Sequence, residues 1–139
     1  MGLRRKSREI VLQFLFSHDF QERSCDKGEL QKDLDEFCNC FDAGKNSIPY
    51  ARELIVGICD HLVTLDDVIT LHSHNWRVER MSMVDRNILR IAAYEMQFVP
   101  DAPATVAINE ALEIAKRYAE PKSVAFINGI LDAMQEKQA

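Results

Sequence analysis

Glycine and proline are scarce in this chain, 5 and 4 of 139 residues, and the glycines do not cluster. That leaves no phosphate-cradling P-loop, no glycine-rich dinucleotide turn and no nucleophile elbow. No apolar run approaches the ~18–20 residues needed to cross a bilayer. The opening Met1-Gly2-Leu3-Arg4-Arg5-Lys6-Ser7-Arg8 lacks the apolar stretch and cleavage site of a signal peptide, so a cytoplasmic location is expected. The four cysteines, Cys25, Cys38, Cys40 and Cys59, are expected to be free thiols in a reducing cytosol, two of them buried as small apolar residues and two incidental. Cys38-Asn39-Cys40 is Cys-x-Cys and lacks the spacing of common zinc or redox motifs. His72 and His74 on one helix would diverge by about 200°, so they would not share a metal. No metal, no cofactor and no catalytic residue is expected, and no nucleophile with a base partner can be named. These absences point away from an enzyme.

Apolar residues are plentiful. Hydrophobic residues make up 47% of the chain, enough for an independent core in one domain. Charge is present but unevenly spread. Arg4, Arg5, Lys6 and Arg8 put +4 on the first eight residues, leaving −9 on the remainder to give the net −5. A basic arm on an acidic body is one reading: the arm contacts phosphates while the body limits non-specific binding. A solubilising N-terminus is the other. If four phosphates are neutralised, binding to a single strand should fall with salt at a log–log slope of about −3.

The periodicity is helical throughout, and strand alternation is hard to find. A first helix is predicted over roughly 3–20, with Ile10, Val11, Phe14 and Leu15 inward and Arg4 and Arg8 one turn apart. A loop is expected over Gln21–Gly28, then a helix carrying Leu30, Leu34, Phe37 and Phe41, then a turn at Asp42–Asn46. Ser47 and Pro49 open a third helix with the stripe Leu54, Ile58, Leu62 and Leu65, and a break is expected between about Thr64 and Asp67. Ser82-Met83-Val84-Asp85 fits a capping box ahead of Ile88, Ile91, Ala92 and Met96. Pro100 and Pro103 end that helix and start another bearing Val106, Ile108, Ala111, Leu112 and Ala115. Pro121 interrupts again, and a final helix carries Val124, Ile127, Leu131 and Met134. About seven helices result.

Several residues interrupt the apolar pattern. Asn109 and Asn128 are expected to hydrogen-bond where helices cross. Gly129 costs about 1 kcal/mol of helix propensity, which suggests close approach of a helix or an RNA backbone. Trp76 is expected to anchor the core or a subdomain interface in preference to serving as a stacking platform, and Arg90 to form a structural salt bridge.

In order along the chain, several segments resemble the NusB family: Trp76, then Val84-Asp85-Arg86-Asn87-Ile88-Leu89-Arg90-Ile91-Ala92-Ala93-Tyr94-Glu95, Val106-Ala107-Ile108-Asn109-Glu110-Ala111 and Phe126-Ile127-Asn128-Gly129-Ile130-Leu131-Asp132, with Arg4-Arg5-Lys6-Ser7-Arg8-Glu9 and Gln13 at the start. Residues 21–48 contribute little. The resemblance implies an all-α bundle of two helical subdomains, about 1–75 and 76–139. It implies transcription antitermination: binding of boxA RNA in nascent ribosomal transcripts together with NusE, a small-subunit ribosomal protein, so that RNA polymerase with other Nus factors resists termination.

By position, the resemblance assigns RNA contact to Arg4, Arg5, Lys6 and Arg8. It also assigns Phe16, where relatives can carry tyrosine, and Glu79 and Asp85, which can accept from base amino groups. Phe126 matches an aromatic position beside the RNA, with core packing an equal alternative, and Asp85 can equally be the capping acid. Lys122 departs from relatives that have an acid there, which should favour phosphate and weaken discrimination. Competing readings are a NusB-like module in ribosomal RNA maturation and a homodimeric protein scaffold.

Overall fold

The computed structural model describes residues 3–20, 27–39, 46–74 and 76–138. Among these are seven α-helices and no strand: α1 (Leu3–Phe20), α2 (Lys27–Asn39), α3 (Ile48–Asp60), α4 (Leu62–Leu71), α5 (Met83–Phe98), α6 (Ala104–Tyr118) and α7 (Pro121–Gln138), with a 3-10 turn at Val78–Arg80. Cys25, Cys40, most of the expected 21–28 loop and most of the expected turn at 42–46 lie outside the described residues.

The helices end where the backbone chemistry requires. Ser82 caps α5, its Oγ accepting the Asp85 N–H at 3.0 Å. Pro103 immediately precedes α6, and Pro121 opens α7, where its missing N–H costs nothing. The break between α3 and α4 falls at His61, earlier than the expected 64–67. His61 is held by N–H donation to the Gly57 and Ile58 carbonyls, and its own carbonyl accepts from Leu65, so the chain re-enters a helix after one residue. No glycine or proline marks the spot.

Helix α5 is the axis of the fold and packs against α1, α3, α4, α6 and α7. The predicted stripes supply the core: Val11, Leu54, Ile58, Leu65, Ile88, Ile127 and Leu131 are all at most 1% exposed. Burying a side chain of this size is worth about 1.5–3 kcal/mol, so this layer dominates the stability. Gly57 permits the closest approach of α3 to α5, because a Cβ there would overlap the Tyr94 ring. Tyr94 then stacks on Phe98, which stacks on His61 with ring centroids 4.2 Å apart.

Three expectations are corrected. Asn109 is exposed, so its side chain is not buried between helices. Gly129 is exposed, and a Cβ built there meets nothing within 4 Å, so among the described residues no other helix closes on it. Val106 is also exposed. Arg90 does form the structural salt bridge, to Asp66 of α4 (Nε–Oδ1 2.8 Å, Nη2–Oδ2 2.9 Å), and a third bond goes to Asn87 Oδ1. Cys38 is buried, which raises its thiol pKa, and Cys59 is half-buried.

Candidate nucleic-acid interface

The first turn of α1 carries cations but no acid. A helix N-terminus has a partial positive charge, so this placement is unfavourable unless anions approach. The fold supplies three. Arg4 Nη2 donates to Asp101 Oδ2 at 3.0 Å. Arg5 donates to Glu110 through Nε at 2.8 Å and Nη2 at 2.6 Å. Arg8 Nε donates to both oxygens of Glu95 at 2.8 and 2.9 Å, and its Nη1 reaches Glu110 at 3.3 Å. Tyr50 hydroxyl donates to the same Glu95 at 2.5 Å, and the Arg4 guanidinium lies 4.5 Å from the Tyr50 ring centre. Burial, with the bond to Glu95, pushes the Tyr50 phenol pKa up, and the hydrogen bond from Arg5 holds Glu110 below the usual carboxylate range.

The expected free basic arm is therefore corrected. Three guanidinia meet three carboxylates, and the cluster is neutral. Arg8 is 3% exposed and cannot meet a phosphate without dismantling the α1–α5 contact. Arg4 and Arg5 keep part of their surface, at the edge of a cleft of about 370 Å³ that Asp101, Pro103, Val106 and Glu110 also line. Lys6 is exposed.

A second, larger cleft of about 780 Å³ opens between the N-terminus of α5 and the α6–α7 junction. Asp85, Lys122 and Phe126 come together there with Trp76, Arg80 and Tyr118. Trp76 is 53% exposed, so it anchors neither core nor interface. It follows a turn in which His74 takes the left-handed conformation, φ 56°, and leads into the 3-10 turn carrying Glu79 and Arg80. Asp85 caps nothing with its carboxylate; its Oδ2 accepts from Ser123 Oγ at 2.9 Å, tying α5 to α7 across the cleft. Phe126 is half-buried, with one side packed on the core and the other open to the cleft. Lys122 is highly exposed and only 3.8 Å from Glu120, a pair too loose to consume its charge. Glu79 and Phe16 are exposed but do not line this cleft.

Chemically, the larger cleft offers aromatic faces, two cations and the first turns of two helices, whose amide groups favour anions. Trp76 reads from sequence as an anchor more readily than as a stacking platform, and Arg80 and Tyr118 carry no sequence signal for a site. Arg80 and Tyr118 end the 3-10 turn and α6, and Trp76 lies in the link ahead of that turn, where periodicity is silent. Among the described residues, no three His, Cys, Asp or Glu side chains are grouped to hold a metal ion, and no helix is long and apolar enough to cross a membrane.

The fold and site define a small all-helical protein built around one central helix, with two cation-bearing clefts. The NusB family profile matches residues 5–136, and the chain belongs to the NusB family. It is 44% identical over 136 residues to the transcription antitermination protein NusB of Desulfotalea psychrophila, covering 97% of this chain and 96% of that one. With the NusB of Myxococcus xanthus the identity is 40%, covering 95% and 94%. Among solved structures, T. maritima NusB superposes with a TM-score of 0.83 at 41% identity, covering 96% of this chain and 91% of that one. A chain from the crystal structure of antitermination factors NusB and NusE in complex with dsRNA superposes with a TM-score of 0.80 at 25% identity, covering 99% and 98%.

Proposed function

We propose that this chain is a cytoplasmic, non-enzymatic transcription antitermination factor that binds boxA RNA of nascent ribosomal transcripts together with NusE. The observation that carries the reading is the cleft at the α5 N-terminus and α6–α7 junction, in a chain of the NusB family. Trp76, Tyr118 and Phe126 provide faces on which unstacked bases can lie. Arg80, Lys122 and the helix N-termini attract phosphate, which positions the strand but carries no sequence information. Asp85, fixed by Ser123, keeps Oδ1 for a base amino group, which is where discrimination enters. Glu79 and Phe16 act outside the cleft, and Lys6, Arg4 and Arg5 act from the face of α1.

A partner is required on electrostatic grounds. The α1 cluster is neutral as folded and the body is acidic, so the phosphate contacts give little net affinity at physiological salt. NusE, present in the related complex with dsRNA, extends the RNA-binding face. The two ligands should bind cooperatively, with a coupling of about 1–3 kcal/mol, or roughly 5–150-fold, and reciprocally. Titrating each ligand with and without the other closes the cycle. Equal RNA affinity with and without saturating NusE defeats the cooperative model. Absence of RNA binding under both conditions defeats the RNA-binding reading.

A further inference from the structure

We propose that Asp101 and Glu110 are specificity-determining residues that occupy the phosphate positions on the cationic face of α1 until an RNA displaces them. The inference rests on the RNA-binding reading above. Glu110 grips Arg5 through Nε and Nη2, the two-pronged geometry with which arginine also holds a phosphate. Asp101 does the same to Arg4 through one bond.

The three acids of the cluster differ in how readily they can be exchanged. The Glu95 side chain is 1% exposed, and its bond to Arg8 belongs to the core. Asp101 is 71% exposed and Glu110 is 18% exposed, both at the edge of the cleft where Arg4 and Arg5 surface. A phosphodiester entering that cleft can take Arg4 and Arg5 while Glu95 still holds Arg8, whose longer second bond to Glu110 is given up. It must first displace two carboxylates, and it meets their repulsion until it does.

Selectivity follows from this competition. An RNA that offers only its backbone exchanges one anion for another and gains little. An RNA that also seats bases in the Trp76 cleft has the additional free energy needed to complete the exchange. Asp101 and Glu110 therefore suppress sequence-blind binding at the cationic face of α1.

The experiment measures anisotropy of two labelled RNAs, a boxA-type RNA and an unrelated RNA of equal length, against the full chain with NusE, across a salt series. The proteins are the parent chain, Asp101→Asn and Glu110→Gln. Removing either carboxylate should tighten binding of the unrelated RNA about two- to fivefold. It should also steepen the log–log salt slope by about 0.7 for each arginine released, a change that a purely structural role would not produce. Helical circular dichroism checks the fold. If Glu110→Gln loosens it, Asp101→Asn, at the exposed pair, decides the question. Unchanged or weaker binding by the folded variants, while the parent binds RNA, overturns the inference and leaves the RNA-binding reading standing. A parent that binds neither RNA at low salt removes both.

Discussion

Arg8 and Glu95, 87 residues apart, form an ion pair that is all but sealed from solvent, with Arg8 Nε 2.8 Å from Glu95 Oε1. The pair fastens α1 to α5. Its energetics are set by what remains when one member is removed, since an uncompensated buried charge is costlier than the pair is favourable. Replacing Arg8 by Met, or Glu95 by Leu, should each destabilise the chain by about 3–5 kcal/mol, whereas the double variant should recover much of that loss. Urea unfolding of the four proteins checks it. Additive losses would mean the pair is not coupled.

Glu110 gives the fold a dependence on acid. The hydrogen bond from Arg5, reinforced by the charges of Arg5 and Arg8, lowers its pKa in the folded chain. The unfolded chain therefore takes up the Glu110 proton first as pH falls. The stabilisation is fully present above the unfolded value of about 4.3 and is lost as pH drops through the lower folded value. The stability difference between the parent and Glu110→Gln should stay constant from neutral pH to about pH 5 and shrink below about pH 4. Denaturant titrations at a series of pH values test this, and a difference that widens in acid would reverse the assignment.

Gly57 is predicted to tolerate no side chain while Tyr94 stays in place, since the Tyr94 ring occupies the space a Cβ would need. Gly57→Ala should cost about 1–3 kcal/mol through overpacking. Adding Tyr94→Leu, which removes the ring, should return part of it. Thermal unfolding of the single and double variants decides, and a neutral Gly57→Ala would mean the Tyr94 ring moves aside freely.

Which features were legible in the sequence follows from the range of the forces involved. The Ser82 cap, the proline boundaries at 103 and 121 and the stripes around Leu54, Ile88 and Ile127 are local or periodic signals, and the structure reproduces them. The His61 break is imposed by packing of α3 and α4 and has no breaker residue to announce it. Arg4, Arg5 and Arg8 read as a free basic cluster because their partners Asp101, Glu110 and Glu95 are about a hundred residues downstream. Trp76 read as a core anchor because an isolated aromatic carries no directional signal outside a periodic helix. Asp85 was recognised as a capping candidate, but its bond to Ser123 depends on how α7 docks.

Trp76 offers the most direct test of the central claim, that RNA is held in the cleft at the α5 N-terminus and α6–α7 junction. It is the only tryptophan of the chain and lines that cleft, so its emission reports on nothing else in this protein. A tryptophan-free NusE variant is added first, and boxA-type RNA is then titrated while Trp76 fluorescence and the anisotropy of labelled RNA are followed together. Stacking of a base on the indole should quench the emission saturably, with the same midpoint as the anisotropy. The signal should vanish in Trp76→Phe, which keeps an aromatic face for binding. RNA that binds by anisotropy while Trp76 emission stays constant would place the RNA elsewhere and contradict the account.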